Sequence, residues 1–124
     1  MAEDDRVSGM VAAKLLVIAG AVPTVVEDGR QALEALARER FDLALMDVQM
    51  PIMDGVEATR AIRRGEAGQD MRNLPVIAMT AYAMAGDRET FLEAGMDGYL
   101  AKPATTETLV RSIRDVLAAR TPAP

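Results

Sequence analysis

Cysteine, histidine and tryptophan are absent from this 124-residue sequence. Without cysteine there are no disulfides and no thiolate metal sites; without histidine the commonest general base and the usual zinc ligand are missing. Chemistry in this chain therefore rests on carboxylates, hydroxyls, amides and cations. Aromatic residues make up only 3%. The core has to be assembled from Val, Ile, Leu, Met and Ala, which suits layered helices and sheet better than an aromatic-rich β-sandwich. Surplus positive charge is missing too. Fourteen basic against 19 acidic residues leave a net charge of -5, a field that repels phosphate backbones and argues against nucleic acid as a partner. The longest apolar stretch, Met10 to Val26, has 17 residues and is broken by Lys14, Gly20 and Pro23, too short and interrupted for a membrane span. The preceding Ala2-Glu3-Asp4-Asp5-Arg6 is acidic where an export signal is positive, so the expected location is cytoplasmic, without membrane association.

Half of the residues are hydrophobic and 27% are charged, the composition of one globular domain; we place it at residues 1–120, with 121–124 as a disordered tail. Helix-like periodicity alternates with short apolar runs, the pattern of a parallel sheet covered on both faces. Ser8 to Ala19 reads as a helix with Val11, Leu15 and Ile18 inward, followed by a β-branched strand at Thr24-Val25-Val26. Asp28-Gly29 turns into a helix from Arg30 to Glu39 with Leu33 and Leu36 inward, and the apolar run Leu43 to Met46 then ends at Asp47. A helix from about Gly55 to Arg64 precedes a polar surface loop, Gly65 to Asn73, in which nothing is apolar enough to bury. Val76 to Met79 is a strand ending at Thr80. After a helix near Asp87 to Glu93, Gly98 to Ala101 is a last strand ending at Lys102-Pro103. The final helix, Thr106 to Ala119, carries Leu109, Ile113 and Leu117, backed by Val110 and Val116. The Arg60, Arg63 and Arg64 group reads as a solvated helix face, and Met10 and Val11 as core.

Three apolar strands thus end at Asp47, Thr80 and Lys102, and in open parallel sheets the carboxyl ends of the strands line the binding crevice. Each residue alone could be a cap or turn residue; together, an acid, a hydroxyl and an ammonium at the lip of an apolar sheet demand partners. Arginine outnumbers lysine 12 to 2, so Lys102 is an unusual choice, a compact point charge instead of a fork. Glu3 and Asp4 precede the first helix, where acids also suit the helix dipole. Should they reach the crevice of Asp47, three carboxylates would repel unless a hard divalent cation with oxygen ligands intervened.

The segment Leu45-Met46-Asp47-Val48-Gln49-Met50-Pro51-Ile52-Met53-Asp54-Gly55 resembles the phosphoacceptor segment of the receiver domains of two-component response regulators. Met79-Thr80-Ala81, Gly86-Asp87-Arg88, Ala94-Gly95-Met96-Asp97 and Tyr99-Leu100-Ala101-Lys102-Pro103 resemble that family's downstream segments, and the Ala-Met-x-Gly-Asp-Arg stretch is most similar to receivers of hybrid sensor histidine kinases. The resemblance runs from Ala2 to about Ala119. It implies an α/β, doubly wound flavodoxin-like fold with parallel strand order 2-1-3-4-5 and Asp47 as phosphoacceptor. Mg²⁺ would be held by Glu3, Asp4, Asp47 and the Gln49 carbonyl. Thr80 and the Ala81 amide would bind the phosphoryl group, Lys102 would pair with one of its oxygens, and Thr80 and Tyr99 would form a switch. Pro103 matches the proline that follows a cis peptide, and Gln49 and Tyr82 occupy positions that tune acyl-phosphate hydrolysis.

The function so implied is a phosphoacceptor module in a phosphorelay, taking a phosphoryl group from a phosphohistidine on a histidine kinase or a histidine phosphotransfer protein. It is self-catalysed with at most slow autodephosphorylation, and is not a turnover enzyme. Two alternatives stand beside it. One is a phosphorylation-impaired pseudo-receiver serving as a binding scaffold. The other is a haloacid-dehalogenase-like phosphatase, disfavoured because Gln49 stands where that family has a second acid. Only Met1 and Ala2 precede Glu3, so the first strand is expected to be truncated or missing: the chain is then a truncated version of a longer protein, or the stub still pairs at its carboxyl end, or another copy fills the gap in a strand-swapped homodimer.

Overall fold

A computed structural model describes residues 1–3, 5–48, 50, 52–80, 87–102 and 105–120. Three parallel strands form its centre: β1 (Ala44–Asp47), β2 (Val76–Thr80) and β3 (Gly98–Ala101), in the order β1-β2-β3. Their register sets Asp47 opposite Met79 and Thr80 opposite Ala101. The helices are α1 (Arg6–Ile18), α2 (Gly29–Arg38), α3 (Gly55–Arg63), α4 (Asp87–Ala94) and α5 (Thr106–Arg120), with one 3₁₀ turn at Gln69–Met71.

Every residue of β1 and β2 is buried, as expected for apolar runs without alternation, and the period of two sorts them between two cores. Met46, Val76 and Ala78 face Ala32 and Leu36 of α2, Ala58 and Ile62 of α3 and Phe91 of α4. Leu45, Ile77, Met79 and Leu100 face Leu16 of α1 and Leu109 and Val116 of α5. Ile62, Ile77 and Leu109 are fully buried, each contributing roughly 1.5–3 kcal/mol. Helix starts are set by short acidic caps. The Asp5 carboxylate accepts from Val7 N–H, that of Asp28 from Gln31 N–H and that of Asp54 from Glu57 N–H.

Residues 1–3 lie inside the sheet. On one side Ala2 N–H donates to the Leu45 carbonyl (2.9 Å) and Asp47 N–H to the Ala2 carbonyl (3.0 Å); on the other, Val26 N–H donates to the Met1 carbonyl (2.8 Å) and Glu3 N–H to the Val26 carbonyl (2.9 Å). The spatial sequence is therefore 24–26, 1–3, β1, β2, β3, the expected 2-1-3-4-5 order. Residues 1–3 pair within their own chain, as parallel bridges of Ala2 to Val26 and to Met46, where a second copy had been one expected partner. The strand expected at Thr24-Val25-Val26 reduces to the single bridge at Val26.

Four expectations about side chains need correction. Among the described residues of α1 the buried positions are Gly9 and Leu16, whereas Val11 and Ile18, expected inward, and Met10, expected in the core, are exposed. An almost wholly apolar helix offers several stripes of equal periodicity, and only packing selects one. In α5 Val116 is buried and Leu117 is not. The 65–73 segment does bury side chains: Ala67 and Met71 enter the core beside α3. Arg63 is no solvated arginine. Its guanidinium donates to the carbonyls of Arg72 (2.8 Å), Leu74 (2.7 Å) and Gly95 (2.6 Å) and pairs with Asp97 (3.1 Å).

Candidate functional site

The carboxyl ends of the strands bring Asp47, Thr80 and Lys102 to one edge of the sheet. Asp47 closes β1 and is 4% exposed, Thr80 closes β2 and is buried, and Lys102 follows β3, its N–H donating to the Thr80 carbonyl at 2.8 Å. Gly55 at the start of α3 sits against the Asp47 carbonyl, so close that a Cβ there would strike it. Backbone pairing of residues 1–3 carries Glu3 into the same edge, 3% exposed.

One ammonium joins the two acids. Lys102 Nζ donates to Asp47 Oδ2 and to Glu3 Oε2, both at 2.6 Å, although 55 and 99 residues separate the partners in sequence. Bonds this short between charged groups are the strong kind, and with little water they are screened weakly. Burial opposes the charge of Lys102, but the hydrogen bonds and charges of Asp47 and Glu3 outweigh it and raise its pKa. For Glu3, burial first and the neighbouring Asp47 carboxylate second push the pKa up to about 7, against the opposing pull of Lys102. A single cation thus does not neutralise two buried acids.

That deficit is the test for a divalent ion. The described donors are two converging carboxylates, hard oxygen ligands of the sort that magnesium takes one or two at a time while keeping several waters. Among the described residues no group of three or more acids completes a metal cage. Glu3 and Asp47 fit a hydrated Mg²⁺. Asp4 and Gln49, expected to complete the ligand set, lie outside the described residues, as do Ala81, Tyr82 and Pro103. Tyr99 lies on β3, 44% exposed, with its ring 6.5 Å from that of Phe91.

The family model for the response regulator receiver domain matches residues 1–114. The chain belongs to that family. Among curated proteins, the receiver is 44% identical over 124 residues to the sensor protein GacS of Pseudomonas syringae pv. syringae, the match covering 98% of this chain and 14% of that protein. It is 42% identical over 118 residues to hybrid signal transduction histidine kinase I of Dictyostelium discoideum, covering 91% of this chain and 7% of that one. The receiver thus spans a small part of the length of the curated relatives it matches. Among solved structures, the receiver domain of sensor histidine kinase PA1611 from Pseudomonas aeruginosa, crystallised with magnesium coordinated in its active site cleft, superposes with a TM-score of 0.83 at 42% identity, covering 94% of this chain and 93% of that one. Chemotaxis protein CheY4 of Vibrio cholerae gives a TM-score of 0.84 at 28% identity, with 93% of each chain covered. The receiver is a phosphorelay module of the kind carried by hybrid histidine kinases, and no described helix is long and apolar enough to cross a membrane.

One feature close to Asp47 in sequence carries no signal of its own: Ile52, five residues beyond it, whose backbone φ is +67°.

Proposed function

We propose that Asp47 accepts a phosphoryl group from a phosphohistidine on a histidine kinase or a histidine phosphotransfer protein in the cytoplasm. The observation that carries this reading is the Lys102 ammonium set 2.6 Å from both Asp47 and Glu3 in a buried corner of the sheet edge. An Asp47 carboxylate oxygen attacks phosphorus, the P–N bond breaks with its electrons returning to the donor imidazole, and an acyl phosphate remains on Asp47. Such transfer needs positioning and charge neutralisation more than covalent help. Lys102 fixes the orientation of the carboxylate before transfer and afterwards pairs with a phosphoryl oxygen, and the Thr80 hydroxyl donates to another. Glu3 and Asp47, with Asp4 and the Gln49 carbonyl, would hold Mg²⁺, which would supply Lewis-acid neutralisation of the incoming charge.

Once phosphorylated, Asp47 draws Thr80 inward, and Tyr99 follows into the vacated space, changing the surface around β3 and α5. Slow hydrolysis of the acyl phosphate returns the module to its starting state. The test is incubation with Mg²⁺ and acetyl phosphate, read by intact mass. Wild type is expected to gain one phosphoryl group and Asp47→Ala none. Equal labelling of both would end the proposal.

A further inference from the structure

We propose that two copies of this chain pair through the outward face of α1, antiparallel and reversibly, without exchange of strands. Along α1, Val7, Met10, Val11, Val17 and Ile18 recur at helical spacing on one face and are 70%, 62%, 52%, 59% and 72% exposed. The opposite face meets the core, with Gly9 and Leu16 buried. The outer faces of α2 and α5 instead carry exposed charged pairs, Arg30 with Glu34 and Arg111 with Glu107. Between Val7 and Ile18 the one charged residue is Lys14, exposed within the stripe. An apolar patch this continuous, left in water, marks an association surface.

The stripe is its own complement. It is symmetric about a point between residues 12 and 13, so a second α1 laid antiparallel sets Val7 beside the partner's Ile18 and Lys14 beside the partner's Val11. A parallel pair would set the two Lys14 ammoniums against each other, and like charges face to face are disfavoured. In the antiparallel pair the Lys14 stem lies along the partner's Met10 and Val11 while its ammonium reaches water at the rim. One lysine in an apolar seam thus specifies orientation at a cost in stability. Covered in both copies, the stripe amounts to roughly 1,000 Å², the low end of specific interfaces, so the pair forms with a Kd of about 10–100 µM and is not obligate.

The experiment is sedimentation equilibrium of wild type, Ile18→Lys and Lys14→Leu from about 5 to 500 µM, a range that brackets this Kd. Wild type is expected to rise from the mass of one chain toward that of two. Ile18→Lys puts a charge at an exposed position, so it should keep the wild-type melting curve at low concentration and weaken pairing at least ~10-fold. Lys14→Leu completes the seam and should tighten pairing about tenfold. Because the chain has no cysteine, Val7→Cys and Ile18→Cys each carry a single thiol. Mixed and oxidised in air, they should form the mixed disulfide in excess over either symmetric one. Excess of the symmetric disulfides overturns the antiparallel arrangement. A single-chain mass across the whole range, as follows if a different protein covers the stripe, overturns the pairing. A dimer that Ile18→Lys leaves as tight as wild type overturns α1 as its site.

Discussion

Two cations sit at opposite ends of the same sheet and are partnered in opposite ways. At the amino end, Arg63 meets one acid, Asp97, and three backbone carbonyls, and Asp97 in turn accepts from Val76 N–H at 2.9 Å. The fork of a guanidinium matches that many acceptors, and charge is balanced one to one. At the carboxyl end, Lys102 meets two buried acids, and Glu3 is pushed up toward neutrality by its burial first and by the Asp47 carboxylate second. The balanced cluster ties α3 to the starts of β2 and β3. The unbalanced one is poised to receive positive charge, which is what a site for a dication and an incoming phosphoryl group requires.

The contrast is broken most severely by Lys102→Met, which should slow acetyl phosphate labelling of Asp47 by at least ~10-fold while leaving the chain folded near pH 5, where Glu3 carries a proton. Arg63→Ala should do the converse. It strands Asp97 and three carbonyls, destabilises the domain by about 2–3 kcal/mol in denaturant unfolding, and leaves labelling of the folded protein unchanged. Arg63→Lys should recover less than half of that stability, because one ammonium cannot span the fork.

The raised pKa of buried Glu3 also predicts a pH dependence. Glu3 holds its proton to about pH 7 when folded but only to about 4.5 when unfolded. Between those values the folded state binds more protons, so its contribution is full below pH 4.5 and is lost as pH rises through 7. In a chelator, thermal stability should therefore fall across that window. Glu3→Gln should flatten the decline, and added Mg²⁺ should reduce it by favouring the ionised carboxyl. The smallest expected effect is Asp54→Ala, which removes the α3 cap beside the site and should lower stability by about 1 kcal/mol, read by the same melting experiment.

Much of the fold and of the site is legible in the residues themselves. The strand ends at Asp47 and Thr80 and the position of Lys102 follow from apolar runs that stop abruptly, and the helices of the middle of the chain begin near Asp28 and Asp54, which carry their caps. What is not legible is hidden for identifiable reasons. Arg63 resembles its solvated neighbours in sequence because three of its four acceptor groups are backbone carbonyls, which no residue type announces. Periodicity does not reveal the buried side of α1, because Val11 and Leu16 are equally apolar. Ala67 and Met71 lie in a stretch whose polarity hides two small anchors.

The sequence alone determined the parallel layered class, the identity of the acids and the lysine, and their order along the strand ends, because apolar runs and abrupt polar stops are local properties. Only the tertiary structure decided that Glu3 shares an ammonium with Asp47, that Arg63 is a clamp, and that α1 turns an apolar stripe outward. Each depends on which backbone segments lie side by side across tens of residues, and distance in space is set by packing of the whole.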